Sequence, residues 1–448
     1  MKKVLLIATM VIASLAAISC TEKSEPQDIK IQLMLDGAAF AREGVTVELT
    51  GTATLSAETD ASGIAALTAP VGIYDVRASF NDGQNFNGAA TITVVDVTLV
   101  PDAKNEFELP LEISASSALI IKEVYGTGCQ KNDGSGNYSN DKYIILYNNT
   151  AEEIDASNIC IGHNNPANNY ASNKYNANGD GVMTYFAEKW LPCGWAFWGF
   201  KTTVKIAPYS QIVIAINGAV NHTETYTNSV DLSGADYVMY DTEKFNQAAS
   251  YPAPAATIPA TNYMTAYKYG PGTAWTTSLM SPGFFIFRLP QSEAEAFITA
   301  GHKETDSNGK EVTILDNCDY TIGANLPNAK IPYEWVVDAV EVFHIPNLAK
   351  SVSRFPSSID AGYIKLLDKQ GYTAYRNVDK AATEALPENA GKLVYNYAGG
   401  TTDVENGSTD PSGIDAEASI KAGAHIIYMD TNNSTNDFHM RKVASLKK

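Results

Sequence analysis

Charge is scarce in this chain, and basic charge is scarcest. Charged residues make up 18% of its 448 residues, and 32 Lys and Arg stand against 50 Asp and Glu, for a formal net charge of −18. No Lys/Arg patch is available to neutralise phosphates, which argues against nucleic acid or an anionic membrane surface as partner. Long apolar runs are also missing. Beyond Ile18 nothing approaches the roughly 20 apolar residues of a spanning helix. Helix signals are few. Cysteine is sparse, with five in all. Leaving Cys20 aside, Cys129, Cys160, Cys193 and Cys318 form an even set, so an oxidising compartment allows two disulfides in any of three connectivities. Buried free thiols are the alternative. What the chain has instead is Asn, Thr, Ala, Gly and Tyr, the composition of an exported β-rich protein with long polar loops.

The first residues read as an address. Lys2 and Lys3 precede an apolar stretch, Val4 to Ile18, that ends Ala17-Ile18-Ser19-Cys20. It is too short to span a bilayer stably. Small residues before a Cys resemble the bacterial lipobox, which implies a signal peptide over 1–19 and a lipid-bearing Cys20. An ordinary secretory signal is the alternative. Acyl chains contribute about 0.8 kcal/mol per buried CH₂, enough together to hold a folded domain at a membrane. Residues 20–28 carry TEKSEPQD after the Cys, a polar tether. Its acidic residues resemble the surface-export signal of Bacteroidota lipoproteins; the other reading faces the periplasm.

Two β modules follow. Over 29–113, short alternating runs recur: IKIQLML, VTVELTG, GIYDVRA, TITVVDVTL and FELPLEI. Alternation at that spacing predicts a small β-sandwich. Within it, Thr59-Asp60-Ala61-Ser62-Gly63, then Pro70-Val71-Gly72-Ile73-Tyr74-Asp75-Val76, resembles carboxypeptidase-regulatory-like modules of the prealbumin type. Such modules act as spacers or docking units. Over 116–448 the strand signals are LIIKEVY (119–125), YIILY (143–147), QIVIAIN (211–217), PGFFIFRL (282–289), WVVDAVEVF (335–343) and AHIIYM (424–429). Short helices are predicted from Ser292-Glu293-Ala294-Glu295, read as a capping box, and over Asp379–Ala385.

The stretch LIIKEVYGTG…DKYIILYNN resembles the opening of a lamin-tail-type immunoglobulin-like sandwich, with Asp141, Tyr143, Leu146, Tyr147 and Asn148 matching and Ile145 standing where that pattern has Glu. The fold class is therefore expected to be mainly β: a small N-terminal β-sandwich, then a larger lamin-tail-like sandwich with long loop insertions and few short helices. The whole arrangement is similar to an uncharacterised family of Bacteroidota surface lipoproteins. That resemblance implies an outer-membrane accessory binding protein, not an enzyme, working beside a TonB-dependent transporter in iron, haem or other nutrient capture.

Several constellations could carry chemistry. Asp133, Asn137 and Asp141, with Ser135 between them, present alternating oxygens, and Asn176, Asn178 and Asp180 resemble the start of a calcium loop. Calcium or an ordinary Asx-turn loop fits each. Cys160-Ile161-Gly162-His163 has metal-ligand spacing without a second pair. Trp190, Trp195 and Trp198 form an aromatic cluster, a binding platform or a core. Tyr251, Tyr263, Tyr267, Tyr269 and Trp275 lie among Pro and polar residues, which favours a surface that meets a ligand or partner. No nucleophile motif accompanies the dispersed histidines. A surface hydrolase of glycans or phosphate esters, or an adhesive surface protein, are the competing functions.

Overall fold

A computed structural model describes residues 25–447 apart from 36, 82–85, 99–104, 116, 171–172, 177, 180, 306–308 and 320–326. The expected signal peptide, Cys20 and the first part of the tether lie outside the described residues. Among the described residues no helix is long and apolar enough to cross a membrane. The fold is mainly β, with several sheets and few short helices.

The N-terminal sandwich contains β1 (Gln27–Leu35), β2 (Thr46–Gly51), β3 (Thr54–Glu58), β4 (Ile64–Ala69), β5 (Gly72–Asn81), β6 (Phe86–Val97), β7 (Asn105–Pro110) and β8 (Glu112–Ala115). One sheet joins β1 to β4 and, in parallel, to β7; the other runs β3-β2-β5-β6-β8. Alternate residues point inward, so Ile29, Ile31, Val47, Leu49, Tyr74 and Val76 fill the core. The Asp60 turn forms as its residue types dictate. The Asp60 carboxylate accepts from Ser62 N at 2.8 Å and Ile64 N at 3.1 Å. Gly63 takes φ +77°, where a Cβ would stand 1.9 Å from the Phe40 carbonyl oxygen.

The larger domain is built on two six-stranded sheets. Its labelled strands are β9 (Leu119–Tyr125), β10 (Tyr143–Asn148), β11 (Ile159–His163), β12 (Trp190–Gly194), β13 (Ala196–Gly199), β14 (Gln211–Ala215), β15 (Thr265–Lys268), β16 (Gly283–Arg288), β17 (Asn328–Pro332), β18 (Val336–His344), β19 (Ile364–Leu366), β20 (Thr373–Arg376) and β21 (Phe438–Arg441). The first sheet runs from Tyr237–Val238 through β14-β10-β9-β20-β21. The second runs β15-β13-β11-β16-β18-β19. Between them Leu119, Ile121, Ile144, Leu146, Ile159, Ile161, Ile214 and Ile286 form the shared core.

Both sheets are also covered on their outer faces. Tyr143, Ile145 and Ala215 pack under the 219–263 segment, and Ile120 and Tyr147 pack under residues around Ile414, Ile426 and Tyr428. On the second sheet Cys160, Phe285 and Phe287 pack beneath Tyr185, Trp190 and Leu191. A strand buried on both faces reads as a continuous apolar run rather than an alternating one. LIIKEVY and YIILY are such runs.

This double covering corrects the aromatic expectation. Trp195, Trp198, Tyr251 and Trp275 belong to the central core, and Trp198 is fully buried. Trp190, Tyr267 and the half-buried Tyr269 belong to the outer cover of the second sheet. Tyr263 is half-buried against the outer face of the first. The insertions supply the apolar lids that the sheets need, so their rings face inward.

The disulfide expectation is corrected too. Cys129, Cys160, Cys193 and Cys318 are all free and buried. Cys193 and Cys318 both sit opposite Ala329, on strands flanking β17. Two strand spacings, about 9.6 Å, separate such positions, beyond the roughly 7 Å that a disulfide bridges. Burial pushes the thiols of Cys129, Cys193 and Cys318 up to about 12.

Candidate functional site

A cleft of 480 Å³ lies where β2 and β5 of the N-terminal sandwich meet residues 377–438 of the larger domain. The sandwich contributes Thr46, Glu48, Arg77 and Ala78. Glu48 and Arg77 are register partners across β2 and β5, which places them side by side. The larger domain contributes hydroxyls from Ser408, Thr409, Thr431 and Thr435, amides from Asn377, Asn433 and Asn436, and apolar surface from Pro411, Met429 and Phe438.

The loop 429–438 forms one wall, and its shape follows from buried carboxylates. Asp437 accepts from Thr431 N at 2.9 Å, Thr431 Oγ1 at 2.7 Å and Asn433 N at 3.3 Å. Asp360 accepts from Ser434 N at 2.7 Å and Ser434 Oγ at 2.5 Å. Asn377 ties the other side, donating from Nδ2 to Asn436 O at 2.6 Å and pairing its Oδ1 with His439 Nδ1 at 2.8 Å. Each Thr and Asn side chain that lines the wall therefore hangs on a fixed backbone.

Behind the wall sits Arg376, fully buried at the end of β20. Its Nη2 donates to Asp338 Oδ2 at 2.5 Å, Nη1 to Met429 O at 2.8 Å and Nε to Ile121 O at 2.8 Å. Asp430 and Asp437 stand 3.4 and 3.8 Å from Nη1. The guanidinium also lies 4.6 Å from the Phe438 ring centroid. Three carboxylates thus share one cation in a place water does not reach. Burial pushes Asp338 up to about 7, with Arg376 pulling the other way and Asp430 adding to the rise. Burial likewise lifts Asp437 to about 6 and Asp360 to about 7.

Such raised carboxyls are the usual mark of an acid–base site, but these do not open to the cleft. Asp338, Asp360 and Asp437 are 6%, 2% and 2% exposed, and their oxygens are occupied by protein donors. The cleft lining itself offers one carboxylate, Glu48, beside one guanidinium, Arg77.

The sequence-predicted candidates fall elsewhere. Asp133 is exposed and caps its own turn, accepting from Ser135 N at 2.9 Å. Asn137 is exposed in a two-residue strand. Asp141 is buried and accepts from Ser229 Oγ at 2.6 Å and Tyr125 OH at 3.1 Å. One loop tip and one interior carboxylate do not make a calcium cage. Asn176 accepts from Gly181 N at 3.1 Å and so closes its own loop, Asn178 is exposed, and Asp180 lies outside the described residues. Among the described residues no three His, Cys, Asp or Glu are grouped to hold a metal. Cys160 and His163 share β11 at odd separation, so they face opposite sides and cannot chelate one ion. Asp141, His222 and Ser229 are neighbours without forming a relay. His222 spends Nδ1 on Tyr138 OH at 2.7 Å and Nε2 on Gly218 O at 2.6 Å, so neither nitrogen is left for Ser229.

The cleft residues themselves escaped the sequence reading. Their one visible signal is the Asx- and hydroxyl-rich run from Asp430 to Asp437.

Fold and site together define a two-module β protein with a polar, amide-lined cleft at the junction. Residues 207–410 match the model of a family described as a protein of unknown function, DUF4876. That match includes Asn377, Ser408 and Thr409 of the cleft. A crystal structure of a DUF4876 family protein from Bacteroides thetaiotaomicron is similar over 92% of this chain and 95% of that one, at 20% identity and a TM-score of 0.47. No curated protein matches the chain.

Proposed function

We propose that this chain is a non-enzymatic binding protein, lipid-anchored through Cys20 at the outer surface of the outer membrane, whose cleft captures a small hydroxyl-rich nutrient and passes it to a membrane partner of the TonB-dependent transporter type. The observation that supports it is the cleft lining: four Ser and Thr hydroxyls and the amides of Asn433 and Asn436 on the larger domain, those of loop 429–438 on a backbone that buried carboxylates hold, with Phe438 and Pro411 as apolar surface. Hydroxyls and amides both donate and accept, so they match a sugar-like ligand, whose own groups do the same. Hydrolysis of a glycan asks for two carboxyl groups facing the ligand, and this lining has Glu48 alone. Haem asks for an axial His, Cys, Tyr or Met, and Met429 is the single such residue in the lining.

Calorimetric titration of the mature chain with a panel of neutral oligosaccharides tests the ligand. A saturable heat that falls at least tenfold in Asn433→Ala and Thr409→Ala supports the reading. Binding that ignores both substitutions, or no binding across the panel, overturns it. Crosslinking on intact outer membranes tests the partner: recovery of the chain alone counts against a transporter.

A further inference from the structure

We propose that the space between the two large sheets ends in a buried site for a small monovalent anion of halide size, held by Lys142, Trp195 and His163. Lys142 immediately precedes β10 and has the same parity as Ile144 and Leu146, so it faces the inter-sheet core. His163 ends β11 with the parity of Ile159 and Ile161 and faces the same core from the other sheet. Trp195, between β12 and β13, has its ring 5.2 Å from that of His163, and the Trp275 ring stands 5.0 Å from the same imidazole. Lys142, His163 and Trp195 are 5%, 4% and 9% exposed.

Among the described residues their hydrogen bonding is short of acceptors. The Lys142 ammonium has three hydrogens and one protein acceptor, Thr277 Oγ1 at 3.2 Å. The buried Trp195 Nε1–H has none. The carboxylate beside Lys142 in sequence, Asp141, belongs to the opposite face, where it serves Tyr125 and Ser229. Asp141 acts on the ammonium only across the sheet, with its hydrogen bonds spent elsewhere, and a buried ammonium with no anion in contact is strongly unfavourable. Water would supply hydrogen bonds but no charge. A halide supplies both, accepts from ammonium and indole N–H alike, and carries no hydrogens that would need acceptors of their own.

His163 completes the site. Its Nδ1 lies 3.0 Å from the Asn164 carbonyl oxygen, so Nδ1 is the donor there and Nε2 carries the lone pair in the neutral ring. Nε2 has no partner. A bound anion favours its protonation, which turns it into a third donor to the same guest. Gly194 keeps the ring edge clear: a Cβ there would stand 2.9 Å from Nε2. One anion and one proton thus account for two unsatisfied ring nitrogens and for the spare hydrogens of Lys142.

Crystals of the mature chain grown with sodium bromide in place of chloride test the site without any substitution. An anomalous peak within hydrogen-bonding reach of Lys142 Nζ and Trp195 Nε1 is expected. A dry space, or density with no anomalous signal, overturns the proposal. In solution, the unfolding midpoint should rise with bromide against gluconate at constant ionic strength, and Lys142→Met should abolish that rise. A wild-type midpoint indifferent to bromide would equally overturn it.

Discussion

Arg376 shows how one residue governs a wall of the cleft. Its guanidinium faces Asp338, Asp430 and Asp437 together, and it also holds the Met429 and Ile121 carbonyls. Removing one partner of a buried charge cluster leaves the others unpaired, at a cost of about 3–5 kcal/mol. Arg376→Met is therefore expected to lower unfolding stability by that amount in urea, and to loosen loop 429–438 in amide exchange. A loss under about 1 kcal/mol would mean that Asp338 and Asp437 are neutral without it. The free thiols give a second residue-scale expectation. Cys129, Cys160, Cys193 and Cys318 are buried and unpaired, so dithiothreitol should leave the unfolding midpoint unchanged. Ellman's reagent should reach these four thiols only after unfolding. A midpoint that drops on reduction would restore the disulfide reading.

At the scale of elements, the strands were legible and the site was not. LIIKEVY and YIILY announce strands because both their faces are buried, and a twice-buried strand leaves a continuous apolar run in the sequence. The Asp60 turn and the helical turn Lys380–Glu384 were legible because single side chains make them: Asp379 accepts from Ala382 N at 2.9 Å. The Ser292 capping box misled. The helix is Gln291–Thr299, it starts after Pro290, and no side chain caps it. Aromatic composition misled more, since Pro and polar neighbours suggested exposure while the rings turned inward as lids over the sheets. Trp198 puts a number on this. Replacing a buried Trp with Ala costs about 3–5 kcal/mol, so Trp198→Ala should destabilise the chain by that much in denaturant titration. Tyr395→Ala, at a ring 45% exposed, should stay within about 0.5 kcal/mol. Equal effects would contradict the assignment of the Trp cluster to the core. The cleft was invisible for a different reason. Its walls come from positions 46–78 and 377–438, and Ser, Thr and Asn are common loop residues whose convergence is a property of the fold.

For the molecule as a whole, the buried acids set an unusual response to pH. Asp338 and Asp360 titrate near 7 and Asp437 near 6 in the folded state, against about 3.9 in an unfolded chain. Groups raised in this way contribute fully below about pH 4, and that contribution is lost progressively as pH rises from there through their folded values near 6 and 7. His163 and His439 run the other way. Burial depresses them to about 4 and about 3, so the unfolded chain takes up their protons below about 6.5 and the fold loses stability as pH falls. Lys142, depressed to about 8 by burial, adds a smaller loss over the same fall from pH 8. Between pH 8 and pH 6 these three acids outweigh these three bases, for a gain on the order of 1 kcal/mol; burial that raises Glu341 and Asp141 adds to it, and burial that lowers His222 subtracts. The thermal midpoint should thus be higher at pH 6 than at pH 8, at fixed ionic strength, although the chain carries a formal charge of −18. The reverse order would mean that the backbone donors around Asp338, Asp360 and Asp437 keep these carboxylates ionised inside the fold. The wall of the cleft would then be held by charge rather than by protons, and acid, not alkali, would be what loosens it.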